Sequence, residues 1–519
     1  MDKLIHKQKA FSTIELMIAL AIMSIVLTGV VLVSFGNQSA LIGSQTSNEA
    51  MKLAQGLIEE QQALARKDFN LVNSNVDDSD PFYKKSVSVK FLDDFSTKEV
   101  EVKIEWNAEY LLKKKLILKT LITNFTNPIG NNTCDSTLTG DEQGEEYGSG
   151  WKNPEIKNTQ NKFADLVNDI NGIYPVTDVD AYYGKLYVTV NNISSNSDDT
   201  FFIFDINKLK NNQNNPLIDS IDNSTVSAGL NAVVVAGHYA YVANGYGANF
   251  TTCIEGQNCA QLQIFDLNNL SASPINFKVP GVGGNSGQSV GNSIFYKDGF
   301  IFLGLSDTGG NGSEFHIIDV HDPENPFRRP GGTFSVGNAV NTIYVKNKYV
   351  YLGTVNNQEL MVLSLNDLSE SYGYDASGNA GNGKSLSLVG DNLYLGRTID
   401  SGNPEFYVLD NTNPEDITGN NLSPSTFEAN RSVNGLLVRD FLAFLLTNNQ
   451  LRILDLTQPL SMNIPEWTIN PLTLPLADTT GDGALDCEGN FLYAVTNYDN
   501  SDTDPLDNNG LLYVISTDE

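Results

Sequence analysis

Hydrophobic positions along this chain fall into three patterns. From Leu16 to Phe35 no charge interrupts them for 20 residues, a length of about 30 Å as a helix. From Asn48 to Lys67, Met51, Leu53, Ala54, Leu57, Ile58, Ala63 and Leu64 recur at helical spacing among Glu, Gln and Lys. That spacing predicts the soluble half of one long helix. Strand-like runs follow at Ser86 to Leu92, Glu99 to Trp106 and Leu116 to Asn124, the second alternating strictly through Val100, Val102, Ile104 and Trp106. From Thr126 to Thr159 Asn, Gly, Asp and Glu displace the aliphatic residues, which marks a linker or domain entrance.

Beyond the linker the third pattern repeats. A short apolar strand ending in an acidic or polar residue starts at Phe201, Leu262, Phe315, Leu360, Phe406, Leu451 and Leu512, at separations of 61, 53, 45, 46, 45 and 61 residues. Such a period belongs to propeller blades. A strand such as Leu186 to Val188 or Tyr349 to Leu352 stands before each, and most units add an inner strand ahead of a tight turn. Ala232 to Ala236 before Gly237-His238, Thr342 to Val345 before Lys346-Asn347 and Leu386 to Val389 before Gly390-Asp391-Asn392 are examples. With an outer strand such as Ile275 to Val279, each unit has the four strands of a blade. The seventh unit lacks its fourth, since the sequence stops at Glu519. Trp151 to Ile156 is expected to complete it and cover the open edge. The expected fold is an α+β module, one long N-terminal helix with a small antiparallel sheet, followed by an all-β seven-bladed β-propeller.

The residues ahead of the apolar run add chemistry. Lys3, Lys7 and Lys9 precede Ala10-Phe11-Ser12-Thr13-Ile14-Glu15-Leu16, and basic residues hold a leader on the cytoplasmic side. Glu15 opens the apolar run, where an acid is costly and usually functional and where an ordinary secretory signal has no use for one. The segment resembles the class III leader of type IV pilins and type II secretion pseudopilins. The resemblance implies cleavage by a prepilin peptidase between Ala10 and Phe11, N-methylation of Phe11, and an assembly role for Phe11 and Glu15. In that family the glutamate neutralises the N-terminal amine of a neighbouring subunit, as an unpaired charge in a dry bundle is expensive. The family usually has glycine where this chain has Ala10. The expected organisation is a leader at 1–10 and a pilin-like domain at 11–125, with a transmembrane and assembly helix over 11–67 and a sheet over 86–124. A linker at 126–150 and the propeller at 151–519 follow. The propeller strands also resemble the LVIVD-type repeat, an aliphatic strand ending in Asp before a Pro-bearing turn, best seen from Phe315 to Pro326. That likeness implies a fold and almost no activity.

Charge sharpens the division. Residues 1 to 120 hold 15 basic and 15 acidic residues, so the net charge of −30 falls on the remainder, with 17 against 47. Such a surface repels nucleic acid and anionic headgroups. It suits divalent cations or simple solubility outside the cell, the second being the commoner explanation.

Four cysteines lie apart, without the CxxC pairs of zinc or redox sites. Cys253 and Cys259 could close a small loop, leaving Cys134 and Cys487 for each other. Three pairings are formally open, and export makes disulfides chemically reasonable. No cofactor is required, and calcium is the one candidate. Asp478, Thr480, Asp482 and Asp486 stand at positions 1, 3, 5 and 9 of a loop with Gly483 at position 6, as in hard-cation loops. The loop is similar to those of dockerins and of some pilus-tip adhesins, although Gly489 stands where a glutamate is usual. His238, His316 and His321 read as ordinary strand and turn positions, and neither a phosphate loop nor a nucleophile elbow is present. An enzyme is therefore not expected.

Three functions fit these residues: a minor pilin displaying a head for adhesion or ligand binding, a secretion pseudopilin gripping an exported substrate, and a tethered enzyme acting on surface glycans. The first is favoured, because a head this large on every subunit would hinder helical packing. Its expected partners are other pilin subunits, the prepilin peptidase, the cytoplasmic membrane before assembly and an extracellular protein or glycan. Its expected place is the cytoplasmic membrane as a precursor, then the pilus at the cell surface.

Overall fold

The computed structural model describes residues 13–67, 72–123 and 149–517 apart from short stretches, of which 192–198, 222–228, 245–259, 283–289 and 498–508 are the longest. Two compact units emerge, with a boundary near Thr123.

In the first unit a single helix runs from Thr13 to Lys67. Its uncharged part keeps its hydroxyls satisfied locally, as where Thr28 Oγ1 donates to the Ser24 carbonyl at 2.8 Å. Met17 and residues 20–30 are all exposed. Among the described residues no helix is long and apolar enough to cross a membrane. The soluble half buries Ala50 and Ala54 against Val87, Val100, Val102, Ile104 and Trp106 of a four-stranded antiparallel sheet. Its strands are Asn75–Asp77, Tyr83–Phe91, Thr97–Asn107 and Lys113–Thr123, in that order. Strict alternation in the third strand places its valines, Ile104 and Trp106 on one face. The polar first strand escapes a hydrophobic reading. It pairs only from Asn75 to Asp77, against Lys85 to Val87.

The second unit holds seven four-stranded antiparallel sheets, each a meander of consecutive strands except the last. Their first strands are Val176–Tyr182, Leu230–Ala236, Gly291–Lys297, Val340–Lys346, Gly383–Val389, Val433–Arg439 and Gly483–Glu488. Each first strand lies beside the first strand of the next sheet, and the seventh lies beside the first. This is a propeller arrangement. Second and third strands, such as Phe300–Leu305 and Phe315–Asp319, are buried on both faces, so they read as continuous apolar runs. The hairpin between first and second strands is a two-residue turn, as at Asp298-Gly299 with φ of +50° and +79°, the left-handed pair of a type I′ turn.

The aspartate ending so many third strands has a local task. Asp266, Asp410 and Asp455 each accept the backbone N–H two residues on, at 2.8 to 2.9 Å, and Asp319 does so from His321 at 3.1 Å. Asp205 accepts from Asn207 and Lys208 and caps the helix Ile206–Lys210. These are the turn and cap chemistries of a short carboxylate.

The last sheet is completed from the start of the unit. Pro154–Ile156 pairs antiparallel with Ile515 to Thr517. Trp151, almost fully buried, packs edge-on to Phe444 with ring centroids 4.9 Å apart. Asn158 acts as one more rung, its Nδ2 donating to the Leu512 carbonyl and its Oδ1 accepting from Val514 N, both at 2.8 Å.

Candidate binding cavity

The first strands of six sheets share an irregularity. One residue after its start each has a bulge against its second strand. The displaced residues are Thr177, Asn231, Asn292, Asn341, Lys384 and Asn434. A bulge frees a residue from the ladder and re-aims its side chain. All six line one cavity of about 410 Å³, to which the seventh sheet contributes Asp482 and Gly483.

Most of these side chains also link neighbouring sheets. Thr177 Oγ1 donates to the Leu230 carbonyl at 2.7 Å, Asn231 Nδ2 to Gly291 at 2.8 Å, Asn292 Nδ2 to Val340 at 2.9 Å and Asn341 Nδ2 to Gly383 at 2.9 Å. Asn434 Nδ2 donates to the Gly481 carbonyl at 3.0 Å. In the fifth sheet Ser385 Oγ makes the link, to Val433 at 2.9 Å. Lys384 is thereby released, and its Nζ stands 3.1 Å from Asp482 Oδ2, two sheets on. The donors of this ring are committed to the fold.

An acidic seam runs from the seventh sheet through the first to the second. Asp486 Oδ2 accepts from Ala181 N at 2.6 Å, Asp180 from Val235 N and Asp178 from Val233 N at 2.9 Å. Each carboxyl answers a backbone N–H on the unpaired edge of the neighbouring first strand. Burial pushes Asp178 and Asp180 up to about 7. Asp486 is raised well above the usual range by burial and then by the Asp180 charge. It holds a proton against the Asp180 carboxylate. Away from the cavity, buried Glu359 meets Arg397 Nη1 at 2.9 Å, and Glu405 accepts from Ala429 and Asn430 N–H.

The residues expected to form a calcium loop are dispersed. Gly483–Glu488 is an extended first strand, which carries Asp486 roughly 13 Å from Asp482, whereas a cation loop would turn back at Gly483. Asp486 points into the acidic seam, Asp482 is exposed beside Lys384, Asp478 sits in the preceding loop, and Thr480 lies outside the described residues. Apolar alternation through Leu485 and Cys487 decides for a strand. Among the described residues no group of three or more His, Cys, Asp or Glu could hold a metal ion. Buried His316 bonds the Ser313 carbonyl at 2.7 Å, and His321 Nδ1 lies 2.8 Å from Asp319.

Cys487 is disulfide-bonded. Its partner is one of Cys134, Cys253 and Cys259, all outside the described residues. Ala10 and Phe11 also lie outside them. Glu15 falls within the long helix, with its side chain outside the described set. The polar ring escaped the reading of the sequence, although a signal exists. Asparagine stands just ahead of the apolar run in Leu230-Asn231-Ala232, Gly291-Asn292-Ser293, Val340-Asn341-Thr342 and Val433-Asn434-Gly435.

Residues 5–31 match the model of the prokaryotic N-terminal methylation motif. No curated protein matches the chain. Similar solved structures include the β-propeller domain of Cps50 (Swd1) from Myceliophteria thermophila, at 12% identity over 70% of this chain and 100% of that one, with a TM-score of 0.42. The extracellular domain of a putative hybrid two-component system from B. thetaiotaomicron is similar at 10% identity, over 85% of this chain and 60% of that one, with a TM-score of 0.45. The N-terminal domain of Nup159 is similar at 11% identity, over 70% and 95%, with a TM-score of 0.39.

Proposed function

We propose that this chain is a minor type IV pilin-like subunit, carried at a filament tip, whose head is a closed seven-bladed propeller that binds a ligand outside the cell. The observation that carries the reading is the pairing, in one chain, of an N-terminal methylation motif at 5–31 with a separate unit of seven sheets. The motif implies a membrane-held precursor, cleavage between Ala10 and Phe11, and surface display after assembly. Leu16 to Phe35 then spans the membrane before assembly, and Glu15 becomes the fifth mature residue and the docking charge. The exposed apolar side chains from Met17 to Val30 suit lipid first and neighbouring subunits later.

The head is a binding module and not an enzyme. Its buried acids are engaged with backbone N–H groups or Arg397, and its third-strand aspartates make turns. Those same aspartates give the LVIVD-like likeness its physical content.

Immunogold labelling of the propeller on whole cells tests the reading. Label at filament ends is expected. Uniform membrane label, lost only with detergent, would overturn it.

A further inference from the structure

We infer that the cavity ringed by the first strands binds a neutral polyhydroxylated ligand, a mono- or disaccharide; the inference rests on reading the head as a ligand-binding module. Its volume of about 410 Å³ falls within the range of small-molecule sites. The hydrogen-bonding balance of the wall selects the ligand. Asn231, Asn292, Asn341 and Asn434 spend their Nδ2 atoms on the next sheet's carbonyls, while Oδ1 of Asn231 and Asn341 accept from Asn191 and Asn292, so what these amides still offer a ligand is acceptors and no donor. Asn434 is only 6% exposed, and its Oδ1 is buried without a hydrogen-bond partner, as is Oδ1 of Asn191. A buried acceptor left unpaired is costly. A ligand carrying several hydroxyl donors brings what a wall whose amide donors are spent on the fold lacks.

Charge excludes the alternatives. Lys384 is the one cation among the described lining residues, and Asp482 faces it, which leaves no described cation for a phosphate or carboxylate ligand. Asp178 and Asp482 are the carboxylates among the described lining residues; the first accepts a backbone N–H and the second faces Lys384, too little for a divalent cation. No aromatic ring is among the described residues that line the cavity, so they offer a planar base no platform. Ile294, Ile343, Leu386 and Leu436 lie among the polar groups and suit the C–H faces of a sugar ring. Lys384 supplies a donor for a ring or hydroxyl oxygen.

The test is calorimetric and saturation-transfer NMR titration of the full-length protein in detergent with glucose, galactose, N-acetylglucosamine, maltose and lactose. Calcium chloride and sodium phosphate serve as charged comparators. At least one sugar is expected to bind with unit stoichiometry. Lys384→Gln is expected to weaken it about tenfold with the thermal transition unchanged; Asn191→Ala, which also removes the hydrogen bond to Asn231 Oδ1, is expected to weaken it about tenfold with a lower transition, and if it fails to fold, Lys384→Gln alone decides. Absence of binding by all five sugars at millimolar concentration overturns the assignment, as does sugar binding indifferent to the substitutions. Retention of calcium or phosphate alone overturns it too. Filament-tip labelling of the same cells separates the two readings: tips labelled without sugar binding leave the head reading standing and remove this one.

Discussion

At the scale of single residues, the acidic seam makes the most definite demand. Asp486 shares a buried space with Asp180 and holds its proton far above the ordinary carboxylate range. In the unfolded chain the same group titrates near 4, as an estimate for any aspartate. The stability this group contributes is therefore complete below that pH and is lost as pH rises through the raised folded value, because the folded state binds the extra proton. Asp486→Asn keeps an acceptor for Ala181 N and a donor for Asp180 while removing the titration. The variant should match the parent in thermal unfolding at about pH 4 and exceed it at alkaline pH. Parallel melting curves at both pH values would show that Asp486 is not the titrating group. None of this was legible in the sequence. Asp478, Asp482 and Asp486 carry the spacing of a cation loop, and only pairing of Gly483–Glu488 with Phe491–Thr496 reveals that the third carboxyl faces another sheet.

Elements were more legible, and the reason is burial. Second and third strands such as Tyr349–Thr354 and Leu360–Ser364 are apolar on both faces, so each sheet announces itself twice in the sequence. Six of the seven first strands begin with a bulge, which breaks the two-residue period and hides residues such as Asn231 and Asn341 from a pattern search. The strand Asn75–Asp77 has a single apolar residue, the exposed Val76, and so carries no alternation to read. The closing strand was visible as a deficit, one missing strand in the seventh unit and one unexplained segment at Trp151 to Ile156. Pro154–Ile156 is short, and Pro154 sits at its first position, where a missing N–H is tolerated. Replacing residues 151–156 by a Gly/Ser linker is expected to expose the Leu511–Thr517 edge. Lower thermal stability and concentration-dependent aggregation should follow, read by scattering. An unchanged melt and a monodisperse sample would show that the pairing contributes nothing.

For the whole molecule the decisive property is how covalent and non-covalent ties are distributed. The chain divides into a unit of balanced charge up to residue 120 and an acidic remainder, as suits one part that packs among subunits or lipid and another that meets water. Cys487 lies in the first strand of the last sheet and is oxidised. Non-reducing peptide mapping is expected to pair it with Cys134 and to leave Cys253 with Cys259. A Cys487 peptide linked to Cys253 or Cys259 would refute that pairing. The closing strand also has a mechanical meaning. With Cys134 joined to Cys487, tension transmitted along the backbone from the helix crosses to the strand Gly483–Glu488 before it reaches Trp151; with any other partner for Cys487 it falls first on the pairs between Pro154–Ile156 and Ile515 to Thr517. Trp151, wedged against Phe444, is the pin ahead of those rungs. The disulfide thus decides whether a sustained pull is borne by a covalent bond or by a clasp of three paired residues.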